Sequence, residues 1–355
     1  MIVPYIRYAN TDSTYLLTES LLHVFNAEGN ACAVCAPSAN QFKKAAVYDT
    51  GYYKSVFSLF QLETRSYEDW MYANGLFNER DLKRDADAVC EACDDFRPDR
   101  IITVNRPAGN IAARHKGIPC WTVTDSAMYR TPGFREKDLK GLNAVLYAYK
   151  QEQVFNLKEL YEKCDKRITF GPETTDMYPP DADVTRIGMP FIEPLELQRT
   201  NRLCIVLPSA DRSASFLKKV ISDTFLGAPY AVHCWYRGAP SVIERNMHYH
   251  TGISPSMIAG SIAVIHDGTS WLMHYCTALG IPQVIIASHD CMRNMHALSM
   301  ARSKCALFLY EEELSVSSLY ETYRKLMSDD IYYENIQRLK EEIHAWKDLS
   351  EILLL

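Results

Sequence analysis

The sequence predicts an α/β protein of two domains, each built on a parallel sheet. Three observations carry this reading. The chain has 355 residues, short apolar runs alternate with amphipathic stretches, and that alternation breaks once, between residues 171 and 201. A chain of this length exceeds one ordinary core and readily fills two. Apolar runs separated by helical periodicity are the pattern of strands covered on both faces by crossover helices.

Along the first half, residues 2–8 read as a strand. A helix follows, with Leu17, Leu21, Val24 and Phe25 on one face and a stop at Gly29. Residues 31–36 form a second strand, and 101–104 and 120–123 are buried-strand candidates. Between residues 50 and 80 aromatics crowd together (Tyr52, Tyr53, Phe57, Phe60, Tyr67, Trp70, Tyr72, Phe77), readable as helix packing or as an apolar wall for binding a small molecule. Residues 171–201 hold Pro172, Pro179, Pro180, Pro190 and Pro194 with few periodic apolar residues, so an interdomain linker is expected there. The alternation then restarts with strands at 203–207, 230–235, 262–265 and 283–287. It closes with a helical pattern at Ile336, Leu339, Ile343 and Trp346. The expected organisation is an N-terminal domain at 1–185, a linker at 186–201, a C-terminal domain at 202–333 and a C-terminal helix at 334–355 packing back toward the N-terminal domain.

Bulk properties narrow the function classes. The composition is globular, 47% hydrophobic and 23% charged, with a net charge of −6. No global positive field favours nucleic acid or a membrane surface, so an anionic ligand must be met by local groups. No stretch reaches the unbroken apolar length of a membrane span, and the first residues lack the order of a signal peptide. Eleven cysteines therefore read as reduced thiols in a cytoplasm. Two Cys-x-x-Cys pairs invite a zinc reading. Cys32 and Cys35 fall three apart on a strand and face opposite sides, while Cys90 and Cys93 join Ala86, Val89 and Phe96 on a helical apolar stripe. No metal is expected. His248 and His250 read as a solvated stripe on one strand face, and His274 as a packed or exposed helix residue.

In open parallel sheets, ligands sit beyond the carboxyl ends of the strands. Ser209, Asp211 and Ser213 follow the strand at 203–207. His266, Asp267, Gly268, Thr269 and Ser270 follow the one at 262–265. Ser288, His289 and Asp290 follow the one at 283–287, with Asn294 a helical turn on. The middle element is the most informative. A helix opens at Thr269 or Ser270, carries Leu272, Tyr275, Cys276 and Leu279 on one face, and ends at Gly280 before Pro282. Such a helix start presents backbone N–H groups and a positive dipole end to an anion, and Gly268 removes the side chain that would keep a phosphate away. A plain strand–helix connection capped by Ser270 is the alternative.

The run Ser261-Ile262-Ala263-Val264-Ile265-His266-Asp267-Gly268-Thr269-Ser270, continued by Leu279-Gly280-Ile281-Pro282-Gln283-Val284-Ile285-Ile286, resembles the donor-binding signature of UDP-glycosyltransferase-like enzymes, nearest to the bacterial macrolide and antibiotic branch. That signature reads strand, His-Gly-Gly, a Thr/Ser-containing helix, Gly-Val-Pro-Gln, strand, then Asp-Gln-x-x-Asn-Ala. Asp290-Cys291-Met292-Arg293-Asn294-Met295 matches its last element at Asp and Asn. The segments at 27–31, 97–101 and 117–119 resemble the family more weakly. Asp267 stands where a Gly is usual, Cys291 replaces Gln, and the family's N-terminal Gly-His is replaced by Asn10-Thr11-Asp12-Ser13.

The resemblance implies the GT-B fold, two Rossmann-like domains with parallel sheets facing across an interdomain cleft. It also implies an inverting, metal-independent transfer of a sugar from a UDP- or dTDP-linked donor to a hydroxyl of a small, apolar or natural-product acceptor. No cofactor beyond that co-substrate is implied, nor nucleic acid, nor an integral membrane segment; a homodimer is left open. The diphosphate is assigned to His266, Gly268, Thr269, Ser270 and Ser209, and the donor sugar to Asp290 and Asn294. Asp12 replaces the missing base and reads equally as a helix N-cap; Asp125 is the second candidate. Alternatives are a non-catalytic binding or accessory protein on the same scaffold, and a nucleotide-sugar hydrolase or epimerase.

Overall fold

The structure is a computed structural model that describes residues 1–4, 13–37, 41–51, 53, 64, 66–129, 139–190, 200–208, 212–252, 254–288 and 290–353. The chain divides into two units. The first comprises residues 1–169, 177–190 and 348–355, and the second 170–176 and 191–347.

In the first unit the described elements run β1 (Ile2–Pro4), α1 (Ser13–Ala27), β2 (Ala33–Ala36), β3 (Ala46–Asp49), α2 (Tyr67–Ala73), α3 (Glu79–Phe96), β4 (Ile101–Val104), α4 (Pro107–Lys116), β5 (Cys120–Val123), α5 (Lys140–Ala148), α6 (Leu157–Glu162), β6 (Lys166–Thr169) and β7 (Thr185–Arg186). The strands lie parallel in the order β3-β2-β1-β4-β5-β6-β7. Strands β2, β4 and β5 are buried along their whole length, as strands covered on both faces must be. The helices begin and end where local chemistry dictates. Asn78 caps α3 by accepting from the Asp81 amide at 3.1 Å, and Pro107 opens α4, where its missing N–H costs nothing. Leu17, Leu21 and Phe25 of α1 are buried, as are Ala86, Val89, Cys90 and Cys93 of α3.

The second unit repeats this plan with β8 (Arg202–Leu207), α7 (Ala214–Phe225), β9 (Ala231–Tyr236), β10 (Val242–Glu244), β11 (Met247–Tyr249), α8 (Pro255–Ile258), β12 (Ala263–His266), α9 (Ser270–Ala278), β13 (Gln283–Ala287), α10 (Cys291–Arg302), β14 (Ala306–Tyr310), α11 (Val316–Ser328) and α12 (Asp330–His344). Its sheet runs β10-β11-β9-β8-β12-β13-β14, parallel except for the β10–β11 pair at one edge. Among the described residues, no helix is long and apolar enough to cross a membrane.

Both sheets reverse direction of growth once, between β1 and β4 in the first and between β8 and β12 in the second. Connections leaving such a pair run to opposite sides and open a crevice at their carboxyl ends. In the second unit the described segment bordering that crevice after β12 is residues 267–270.

Several elements differ from the expected pattern. Strand β12 begins at Ala263, one residue later than expected, and ends at His266, which lies in the sheet. Strands β3, β6 and β10 have no continuous apolar run because each is partly or wholly exposed. Residues 185–186, expected at the linker boundary, pair with β6. In α12, Ile336 and Leu339 join Met273, Ile285 and Met300 in a core of the second unit. Gln337 and His344 of α12 meet the Gly280 and Ala278 carbonyls at 2.6 and 2.9 Å. The helix therefore spends its apolar face there, and α13 (Leu349–Leu353) alone lies with the first unit, on α1.

Candidate functional site

The site grows from the β12–α9 connection. Gly268 has φ +76°, and a Cβ on it would meet Ile285 Cγ2 at 2.9 Å and Arg293 Cβ at 3.3 Å. Both the left-handed backbone and the packing of β13 and α10 against it exclude a larger residue. Helix α9 opens at Ser270, and its N-cap, Thr269, makes no side-chain hydrogen bond to the first turn. The dipole of α9 thus ends in amides that no N-cap side chain covers.

His266 is fully buried. Its Nδ1 accepts the Gly268 amide at 3.1 Å and its Nε2 meets Gln283 Oε1 at 2.8 Å. Gln283 Nε2 in turn donates to Thr277 Oγ1 at 3.0 Å. The chain of donors fixes the neutral Nε2–H tautomer, and burial holds the imidazole pKa down to about 4. Both ring nitrogens are therefore engaged inside the protein. The direct diphosphate contact expected of His266 has no donor left to make it, and the ring instead holds the turn.

Asp267 is buried as well. Its Oδ1 accepts from the Thr269 amide at 3.3 Å and from Thr269 Oγ1 at 3.0 Å. Arg293 lies between two carboxylates, Nη1 at 3.8 Å from Asp267 Oδ2 and Nε at 3.6 Å from Asp290 Oδ2. Asp290 caps α10, accepting from the Met292 amide at 2.9 Å. His296 Nδ1 lies 3.3 Å from the Gly268 carbonyl. In the first turns of α10 and α9, the buried atoms Asn294 Oδ1 and Trp271 Nε1 have no hydrogen-bond partner among the described residues. Buried polar groups are nearly always bonded, so such orphans need a ligand or water to complete them.

The structure thus brings His266, Gly268, Thr269, Ser270, Asp290 and Asn294 together around the starts of α9 and α10. Ser209 lies outside the described residues. Arg293 and Gln283 were not anticipated. An acid followed three positions later by Arg at a helix start signals the first, and a lone amide opening the apolar strand Gln-Val-Ile-Ile-Ala signals the second.

In the first unit, Asp125 stands half-buried past the carboxyl end of β5, its Oδ1 accepting from the Ala127 amide at 2.9 Å. Asn105, in the left-handed conformation at φ +53° after β4, accepts from Tyr67 Oη at 2.6 Å. Arg106 is buried beside it and holds Asp85, the carbonyls of Pro4 and Cys35, and Thr50 Oγ1. Asp12 lies outside the described residues, as do Tyr52, Phe57 and Phe60. Of the remaining aromatics, Tyr67 and Phe77 are buried and Tyr67 stacks on Trp70, whereas Tyr72 is exposed.

The histidines set aside as a solvated stripe are partly buried. Register pairs His248 with His233 across β11 and β9, so their rings stack at 4.7 Å, with His250 stacking on His233 at 5.2 Å.

No family model matches the sequence, and no curated protein matches it. Solved structures do. The chain is similar to the spinosyn rhamnosyltransferase SpnG complexed with thymidine diphosphate, at 14% identity and TM-score 0.71, covering 99% of this chain and 98% of that one. It is similar to the calicheamicin glycosyltransferase CalG4, at 18% identity and TM-score 0.69, covering 99% and 96%. It is also similar to the glycosyltransferase SnogD from Streptomyces nogalater, at 14% identity and TM-score 0.69, covering 99% and 98%. The fold is GT-B, two Rossmann-like domains, as in these glycosyltransferases.

Proposed function

We propose that the chain is an inverting glycosyltransferase that moves a sugar from a nucleoside diphosphate-sugar to a hydroxyl of a small, apolar natural-product acceptor, without a metal ion. The observation that carries this is the start of α9, a helix end uncapped by its own N-cap side chain, behind a turn that only glycine can occupy, at the switch point of the second sheet. The nearly full-length fold likeness to glycosyltransferases supports it. Because SpnG was solved with thymidine diphosphate, a dTDP-linked donor is favoured over a UDP-linked one.

In this reading the diphosphate sits against the amide and hydroxyl of Ser270, with Thr269 beside it, its own hydroxyl held by Asp267, and Ser209 reaching a phosphate oxygen. Gly268 permits the approach, and His266 acts by holding the turn. Asp290 and Asn294 take sugar hydroxyls, for which the orphaned Asn294 Oδ1 is an acceptor. The acceptor oxygen bonds to the anomeric carbon from one face. The bond to the diphosphate oxygen breaks on the other, its electron pair leaving with the nucleotide, and the hydroxyl proton goes to Asp12 or Asp125. Charge grows on the departing diphosphate, so fixed dipoles aimed there lower the barrier. Arg293 supplies a neighbouring positive charge.

One observation favours a second reading, a non-catalytic nucleotide-binding protein on the same scaffold. The Asp267 carboxylate occupies the Thr269 amide and lies buried where an anion would arrive. The deciding experiment pairs binding with turnover. Thymidine diphosphate at a hundred times its Kd should stabilise the protein by about 2.7 kcal/mol in a thermal shift, and Gly268→Val should erase the shift. Release of nucleoside diphosphate should then depend on an added acceptor. No shift with any nucleoside diphosphate removes the donor site, and binding without acceptor-dependent release leaves the non-catalytic protein.

A further inference from the structure

The most developed polar cluster outside the candidate site lies at the opposite edge of the first sheet, where β5 begins. Cys120 is its first residue, and Cys164 sits just before β6. The backbone brings them together, since the Asp165 amide donates to the Cys120 carbonyl at 3.0 Å and the Cys120 amide donates to Asp165 Oδ2 at 2.7 Å. The two sulfurs share the same polar neighbours. Asn110 Nδ2 is 2.9 Å from Cys164 Sγ and 3.8 Å from Cys120 Sγ, while Thr122 Oγ1 is 3.1 Å from the first and 4.0 Å from the second. Both sulfurs therefore face one small polar pocket formed by Asn110 and Thr122.

The two sulfurs are not equivalent. Cys164 is half-buried, whereas Cys120 is buried. Asn110 and Thr122 aim N–H and O–H groups at the Cys164 sulfur, which stabilises a thiolate there. With the interaction with Cys120 leading, these bonds draw its pKa below the ordinary thiol value, while Cys120 is held well above it. Cys32, another half-buried cysteine, is shifted the other way by burial.

We propose that Cys120 and Cys164 are a peroxide-responsive pair that closes to a disulfide. The Cys164 thiolate attacks one oxygen of hydrogen peroxide, forming a sulfenic acid and releasing hydroxide. The Cys120 sulfur then attacks the sulfenic sulfur, its proton leaves with the displaced oxygen as water, and the S–S bond forms. Two thiols are oxidised by two electrons, and one peroxide is reduced to two waters.

The test uses the full chain with stoichiometric hydrogen peroxide, then alkylation and peptide mapping. The expected result is a mass lower by two hydrogens, restored by dithiothreitol, with Cys120 and Cys164 in one cross-linked peptide. Cys120→Ser should leave Cys164 as a sulfenic acid that dimedone traps, and Cys164→Ser should abolish both products. With Ellman's reagent at pH 7, Cys164 should react at least about tenfold faster than Cys32, and Asn110→Ala should move the midpoint of its pH–rate curve upward. Cross-links mapping to other cysteines, an unreactive Cys164, or equal rates at Cys164 and Cys32 overturn the proposal. Neither serine variant touches the candidate site, so both should fold and bind nucleotide as the parent does.

Discussion

Gly268 gives its amide hydrogen to His266 Nδ1 at 3.1 Å, so the turn before α9 hangs from the ring that ends β12. The ring can do this only while neutral. Its pKa is about 4 in the fold against an ordinary value near 6.5. Below pH 6.5 the unfolded chain takes up a proton that the folded chain refuses. Stability is therefore full above 6.5 and declines as the pH falls toward 4, by up to about 3 kcal/mol from this residue. Urea titrations across that window should show the decline, and His266→Asn should flatten part of it. His233, also held down to about 4 by burial and its neighbouring histidines, accounts for slope that remains. An identical curve for His266→Asn would assign the whole loss elsewhere.

Asp267 is the departure with the sharpest consequence. Asp267→Asn keeps an oxygen to accept from Thr269 and removes the negative charge beside the anion site. Affinity for thymidine diphosphate should rise about fivefold, less at high salt. Arg293→Met should do the reverse, since two carboxylates then face the diphosphate uncompensated. Calorimetric titration reads both, and an Asp267→Asn affinity equal to the parent's places the anion away from this turn.

The candidate bases separate by turnover. If Asp12 takes the acceptor proton, Asp12→Asn should lower kcat by at least about 100-fold while dTDP affinity stays within a factor of two, and Asp125→Asn should remain active. The opposite pattern transfers the role to Asp125. Full activity in both variants removes carboxylate base catalysis by these residues.

Arg106 and Asp85 form a buried pair that also holds two strand-end carbonyls. Arg106→Ala strands the Asp85 charge in the interior and should cost about 3–5 kcal/mol in denaturant unfolding. A loss under 1 kcal/mol would show that Asp85 finds another partner or a proton.

Much of this was legible in the residues. The strands at 101–104, 120–123 and 283–287 are apolar throughout because both their faces are covered, and α9 announces itself by its apolar face and its Gly280 stop. The glycine turn at 268 and the grouping of polar residues after each strand are what point to the candidate site. What sequence could not show is direction. His266 lies in the strand and looks inward at Gln283, a contact set by the register of β12 with β13. No local pattern marks Arg106, because its partners, Pro4, Cys35, Thr50 and Asp85, come from four separate segments. The histidines of β9 and β11 stack through a strand pairing that no local pattern records.

Helix α13 joins the first unit by lying on α1, with Leu349 buried. During synthesis the ribosome makes that helix only after the whole second unit has been translated. The first half therefore emerges lacking a piece of its own covering, and its last apolar seam closes late. A nascent chain stalled at about residue 190 should be more protease-sensitive around α1 than the finished protein, a vulnerable interval in which chaperones have reason to attend.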